Sequence, residues 1–126
     1  MCTFSGPECL YSSLNRLLLH RIAAGYTVVF VNYPGSAGFG QRTIEELSKD
    51  CGNLDVQACV LMKRHLVDLG IASDNKGKSF FLGHSHSGLI GAHLSVRFPG
   101  DFDAISLCNP VIDPVSSFAT SDIPAW

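Results

Sequence analysis

The 126-residue sequence is poor in charge and has no long apolar run. Charged residues make up 16% of the chain, the formal net charge is −2, and no run of basic side chains occurs. Nothing in this pattern predicts a nucleic-acid partner. The most apolar stretch, residues 17–31, is interrupted by His20, Arg21 and Gly25, so it is too short and too broken to span a bilayer. We therefore expect neither a nucleic acid nor a membrane as partner.

Paired cysteines are also missing. The five cysteines are an odd number and include no C-x-x-C spacing, which favours free thiols in a reducing compartment over a disulfide framework. Cys59 and Cys108 stand in apolar segments, and we expect both to fill the core as small apolar side chains.

Hydrophobic residues make up 46% of the chain, which is enough for a packed core. Helical and strand patterns alternate along it. The predicted order is helix 11–24, strand 26–32, helix 55–69, strand 78–82, helix 86–98 and strand 104–108. This alternation predicts an α/β fold, with a parallel sheet and helices on both faces. Because three strands are few for such a sheet, we interpret residues 1–126 as part of a larger domain.

The segment Ser79–Gly91 (SFFLGHSHSGLIG) has the pattern of a nucleophile elbow. An apolar strand ends at a glycine, a serine follows, and a helical pattern begins, which places Ser85 at the apex of a sharp turn. Gly83 supplies the small residue before the serine, whereas Ser87 stands where G-x-S-x-G has its second glycine. The backbone N–H of His86 would face a developing oxyanion. The alternative is an ordinary strand-to-helix turn with Ser85 as N-cap.

The partners of such a serine are hard to find in this sequence. Elbow hydrolases follow the chain order Ser, then Asp or Glu, then His, yet no histidine follows His93. His86 is expected to point into the turn, and His93 lies roughly 12 Å along the following helix. The acids after the elbow cannot be matched to a triad acid; they are Asp101, Asp103, Asp113 and Asp122. We therefore expect this chain to be inactive alone.

Two other kinds of site are weakly indicated. The loop 35–40 has the spacing G-x-x-G-x-G and no following Walker lysine, which does not fit a dinucleotide or P-loop site. His84 and His86 form an H-x-H that could bind zinc with His93. No acid or cysteine stands within that motif, so no metal is predicted.

Four segments resemble the prolyl oligopeptidase family of serine peptidases, and its acylaminoacyl-peptidase branch in particular. They are 29–41 (VFVNYPGSAGFGQ), 82–88 (LGHSHSG), 109–112 (NPVI) and 120–126 (TSDIPAW). The first is similar to the family's strand and Gly-rich loop, and the second to its nucleophile segment. The resemblance covers nearly all of the chain but only the middle of the family's α/β-hydrolase domain. The family's propeller and the segments with its catalytic Asp and His are not matched.

The resemblance implies a partial α/β-hydrolase fold with Ser85 as the nucleophile and the N–H of His86 as an oxyanion donor. Gly6 and Pro7 are similar to the family's HGGP loop, which implies a second, more weakly matched oxyanion contribution from Gly6. The family further implies a cytoplasmic hydrolase that needs no cofactor or metal. Its acylaminoacyl branch releases N-acylated residues from peptides and is often oligomeric.

The sequence also departs from the family's pattern. Pro34 replaces an arginine, Ser87 replaces a glycine, and Ala58 stands where an acid is expected. Two other functions therefore stay open. One is a non-catalytic fragment or interaction module that binds a full-length relative. The other is an esterase or thioesterase activity, because a fold does not determine its substrate.

Overall fold

The structure is a computed structural model that describes residues 16–122. Within them the chain forms five helices and two strands. In order these are α1 (Arg16–Ala23), α2 (Gln41–Lys49), α3 (Leu54–Asp68), β1 (Phe80–Ser85), α4 (Ser87–Arg97), β2 (Ala104–Pro110) and α5 (Pro114–Thr120). None of these helices is long and apolar enough to cross a membrane. Gly6 and Pro7 lie outside the described residues.

The two strands form a parallel pair, with Phe80 opposite Ala104 and His84 opposite Cys108. The connection between them is α4, which packs against both strands, and α3 packs on α4 in turn. This is the βαβ unit that the alternating pattern predicts. Phe81, Ile90 and Leu94 are fully buried at the centre of the core.

In the described part of the chain α4 packs on one face of the strand pair, and on the other face α1 contributes Arg21 to the lining of a cavity. Phe81 and Gly83 are buried beneath α4, whereas Phe80 and Leu82 on the opposite face are half-buried. Along β2 the alternation is weaker, and Ala104, Ser106 and Cys108 are exposed. The prediction that Cys108 fills the core is therefore wrong, because its side chain belongs to the face opposite α4.

The predicted strand at 26–32 is also wrong in detail. Residues 26–33 form no strand in the structure; β1 pairs with β2 in the described sheet. Even so, Val31 and Tyr33 are buried in the core. Within the run 26–32 itself only Val31 is buried, and Tyr26 and Thr27 are exposed. The run therefore indicates burial only in part, and a strand also needs a hydrogen-bonded neighbour, which the run cannot specify.

The helices are predicted more closely than the strands. The patterns 55–69 and 86–98 agree with α3 and α4 to within one residue at each end, and 16–23 of the predicted 11–24 helix forms α1, with 11–15 outside the described residues. The helices α2 and α5 were missed. The start of α5 has a local signal, because Asp113 accepts hydrogen bonds from the N–H groups of Val115 and Ser116, as an N-cap does.

The loop between α2 and α3 is attached to the far end of α4. The guanidinium of Arg97 donates to the carbonyl of Gly52 at 2.9 Å and to Oδ1 of Asn53 at 2.8 Å. A guanidinium fork with two acceptors has a defined orientation. This contact holds the start of α3 beside α4, and so positions the side chains described next.

Candidate active site

Ser85 occupies a strained turn between strand and helix. It is the last residue of β1, α4 begins at Ser87, and its φ is +55°. Few non-glycine residues adopt positive φ, and a strained strand-to-helix turn is the backbone geometry of a nucleophile elbow. The carbonyl of Ser85 accepts a hydrogen bond from the N–H of Val111 at 3.1 Å, which links the elbow to the end of β2.

Close backbone approach explains the small residues around Ser85. A Cβ added to Gly83 would lie 2.4 Å from the carbonyl oxygen of Ser87, and one on Gly88 would lie 2.4 Å from Cα of Pro110. Both distances are far below van der Waals contact. The structure accommodates the small side chain of Ser87 as a buried residue. The close approach to β2 is made by the next residue, Gly88.

The first turn of α4 lies next to Ser85. His86 has helical backbone angles, φ −55° and ψ −35°, and its carbonyl accepts from the N–H of Leu89 at 3.0 Å. The first N–H groups of a helix have no partner within it, and they attract negative charge. The geometry is therefore compatible with an oxyanion contact from the N–H of His86.

The imidazole of His86 reaches across to α3. Its Nε2 lies 2.8 Å from Oδ2 of Asp55, whose other oxygen accepts from the N–H of Val56 at 3.0 Å. Asp55 is fully buried, and the ring of His86 lies 5.8 Å from that of Tyr33. Sequence reasoning did not single out Asp55, because it lies 31 residues from His86 and no local spacing joins them.

Cys51 completes a cluster with these two residues. One ligand atom from each of Cys51, Asp55 and His86 lies within 4.8 Å of the other two; we call this the Cys51–Asp55–His86 cluster. Partial burial raises the pKa of the Cys51 thiol, and the charge of Asp55 raises it further. The thiol is therefore protonated at neutral pH while the cluster is free of a cation.

A cavity of about 330 Å³ adjoins the cluster. It is lined by Cys51, His86, Val111, Pro114, Ser117, Phe118, Thr120 and Ser121. The walls are therefore mainly α5 and the segment that follows β2. Apolar and hydroxyl side chains meet in this cavity, as is common in small-molecule sites.

The other histidines have separate surroundings. His84 and His65 are exposed, and His93 packs against the turn at Gly52, where an added Cβ would lie 3.1 Å from its Nε2. Among the described residues, the potential metal ligands that lie together are those of the Cys51–Asp55–His86 cluster. The H-x-H pair His84 and His86 does not form such a group with His93.

Comparisons with known proteins show the family. Residues 12–126 match the prolyl oligopeptidase family. The chain is 33% identical to an acylamino-acid-releasing enzyme of Arabidopsis thaliana over 114 residues, which are 90% of this chain and 15% of that protein. It is 33% identical to acylamino-acid-releasing enzyme 1 of Oryza sativa subsp. japonica over 96% of this chain and 16% of that protein.

A mammalian relative gives a similar result. The acylamino-acid-releasing enzyme of Mus musculus is 36% identical over 108 residues, 81% of this chain and 14% of the relative. The chain thus spans about one-sixth of the length of these relatives or slightly less. With the family match over most of its length, the chain belongs to the prolyl oligopeptidase family of serine peptidases.

Proposed function

We propose that this chain is the nucleophile-bearing part of the catalytic domain of a peptidase that releases N-acylated amino acids from peptides. The observation that carries the proposal is the positive φ of Ser85 at the junction of β1 and α4. The names of the relatives support the substrate class, since each is an acylamino-acid-releasing enzyme.

In the proposed reaction the Oγ of Ser85 attacks the carbonyl carbon of the peptide bond that follows the N-acylated residue. The Ser85 proton passes to a base, and negative charge develops on the carbonyl oxygen. Collapse of this adduct breaks the peptide bond, and the rest of the peptide leaves as an amine that takes the proton from the base. The N–H of His86 donates to that oxygen at the start of α4, and Gly6 is proposed as a second donor from its resemblance to the family loop. Loss of one such donor costs about 10²- to 10³-fold in kcat.

The base and the orienting acid are proposed to come from outside these 126 residues. In elbow hydrolases the base follows the nucleophile and the acid in chain order, and the last histidine here is His93. The imidazole of His86 is already bonded to Asp55. Without a base, a serine enzyme retains only the residual catalysis of its oxyanion hole and substrate binding.

A chimaera tests this proposal. The matched 114 residues of the Arabidopsis thaliana relative would be replaced by the corresponding stretch of this chain, and hydrolysis of N-acetyl-alanine p-nitroanilide would be measured. We expect activity that is lost in Ser85→Ala and kept in Ser95→Ala, an exposed serine on α4. A fluorophosphonate probe should label Ser85 in the chimaera and leave the isolated chain unlabelled.

Other outcomes would support other functions. A folded chimaera without activity, beside an active parent, would contradict the proposal and favour a non-catalytic module. Hydrolysis of p-nitrophenyl esters but not of the anilide would favour an esterase. We also propose a cytoplasmic location. We further propose association with copies of the same chain or with a full-length relative, which co-purification of differently tagged chains would test.

A further inference from the structure

We propose that Cys51, Asp55 and His86 bind one zinc ion. A thiolate, a carboxylate and an imidazole are the ligand types that zinc takes in proteins. Their ligand atoms already lie within 4.8 Å of one another. This inference concerns side chains of α3, of the loop before it and of the turn between β1 and α4, and it does not depend on the activity proposed for Ser85.

The surrounding structure holds two of the three ligands in place. The carboxylate of Asp55 is bonded to both His86 and the N–H of Val56, so its orientation is set from two sides. Arg97 anchors the loop that carries Cys51 through the carbonyl of Gly52. A site with ligands on rigid elements loses less entropy when the ion binds.

Only a small movement is needed to complete the coordination. Zinc binds sulfur at about 2.3 Å and nitrogen at about 2.0 Å, which places tetrahedral ligands roughly 3.5 Å apart. Because the ligand atoms lie within 4.8 Å of one another, none of their separations exceeds the tetrahedral spacing by more than roughly 1.3 Å. Cys51 is exposed. The Asp55–His86 pair lies 2.8 Å apart and would open slightly around the ion.

Charge favours a cation at this position. When a divalent cation binds here, the thiol of Cys51 gives up its proton to solvent, because a thiol bound to zinc is deprotonated. A thiolate and a carboxylate together neutralise the ion, and the neutral imidazole adds a third ligand.

Two of the three ligand residues, Cys51 and His86, line the cavity bordered by Val111, Pro114 and Phe118, so this cavity is where a fourth, non-protein ligand would enter. Zinc sites with three protein ligands and one open position hold water or substrate there, whereas structural sites are closed by four protein ligands. We therefore expect an exchangeable ion that a chelator removes without unfolding the chain.

Cobalt and zinc titrations of the whole chain test the site. Co²⁺ bound to a thiolate gives a charge-transfer band in the near ultraviolet, and we expect it to saturate at one equivalent. Calorimetry with Zn²⁺ should show the same stoichiometry. The titrations would be repeated with Cys2→Ser and Cys9→Ser together, so that thiols outside the described residues cannot account for binding.

Matched variants make the result specific. We expect Cys51→Ser to abolish the cobalt band and to weaken zinc binding at least tenfold, since even outer-shell changes cost about 10- to 100-fold. Cys108→Ser, which removes another exposed thiol, should bind as the parent does. His86→Ala should weaken binding and His84→Ala should not.

Folding is checked separately by circular dichroism in EDTA. Because Cys51 is exposed, the variant Cys51→Ser is expected to fold. The test therefore stays decisive even if the variant His86→Ala fails to fold. The proposal is overturned if Cys51→Ser keeps the band and the parent affinity, or if the parent chain binds no zinc.

Discussion

Asp55 and His86 join the first turn of α3 to the elbow through a 2.8 Å contact between Oδ2 and Nε2. The carboxylate is fully buried, while the His86 side chain is 23% exposed. The two residues are 31 positions apart, so the contact forms only when α3 and α4 pack. It fixes the imidazole of the residue after Ser85 on α3, and so attaches the N-cap residue of α4 to a neighbouring helix through a polar contact.

The Asp55–His86 contact should contribute measurably to stability. We expect Asp55→Ala to lower the free energy of unfolding by about 2 kcal/mol, because it removes a hydrogen bond to a buried carboxylate and leaves His86 without that partner. Asp55→Asn keeps an acceptor oxygen and should cost about 1 kcal/mol. Urea denaturation followed by circular dichroism measures both.

Asp68→Asn is the matched control, since Asp68 lies at the exposed end of the same helix. It should change stability by less than about 0.5 kcal/mol. Equal midpoints for Asp55→Ala and Asp68→Asn would show that the Asp55–His86 contact carries no stability.

Glycine at position 83 should be far less replaceable than glycine at position 91. A Cβ on Gly83 would meet the backbone carbonyl of Ser87 at 2.4 Å, whereas one on Gly91 would meet the tip of the Leu107 side chain at 2.5 Å. A side chain can rotate away and a backbone cannot. We expect Gly83→Ala to cost about 3 kcal/mol and Gly91→Ala about 1 kcal/mol, as overpacking does.

Gly83 lies in the elbow, whereas Gly91 lies one turn into α4 and faces core side chains, so the comparison separates backbone crowding at the elbow from crowding in the core. Chemical denaturation of the two proteins in parallel supplies the measurement. If Gly91→Ala were the more destabilising change, the close approach of β1 and α4 would not be the reason for glycine at 83.

What the sequence predicts well is what neighbouring residues determine. The sharp turn at Ser85 and the extents of α3 and α4 follow from short patterns with a known physical cause. The parallel pairing of β1 and β2 follows from the alternation of strands and helices along the chain. The strand predicted at 26–32 fails because pairing depends on a partner elsewhere in the chain. The same reason hides the cluster, since Cys51 and Asp55 reach His86 only after α3 packs on α4.

Cys59 should resist alkylation in the folded chain. Its side chain is buried, and burial together with the Asp55 charge raises its pKa to about 12. At pH 8 only about 10⁻⁴ of such a thiol is ionised, and the thiolate is the reactive form. We expect iodoacetamide to modify Cys108 readily and to modify Cys59 only after unfolding.

Peptide mass mapping after timed alkylation distinguishes the two sites, with a sample in urea as the control for reagent access. Modification of Cys59 at the rate of Cys108 in the native chain would contradict its placement in the core. The cysteine prediction from sequence would then be wrong at both positions instead of at Cys108 alone.

Asp103 should make the chain less stable in acid. Its Oδ2 accepts from the N–H of Ser79 at 2.9 Å and of Lys78 at 3.1 Å, and these bonds, that of Ser79 first, lower the pKa of the carboxyl below its ordinary 3.8. The unfolded chain therefore binds this proton more readily than the folded chain. The stabilisation is present above pH 3.8 and is lost as pH falls through the lower folded value.

The variant Asp103→Asn should remove this part of the acid sensitivity while keeping an acceptor oxygen at the start of β2. Thermal melts between pH 2.5 and 6 would show a flatter decline for Asp103→Asn than for the parent. A flatter decline is also expected for Asp113→Asn, because hydrogen bonds from Ser116 and Val115 lower the pKa of the Asp113 carboxyl. Because β1 begins at Phe80, directly after the two donors, the loss of these bonds in acid loosens the junction between the two strands. Identical slopes for the parent and Asp103→Asn would show that the carboxylate does not hold that junction.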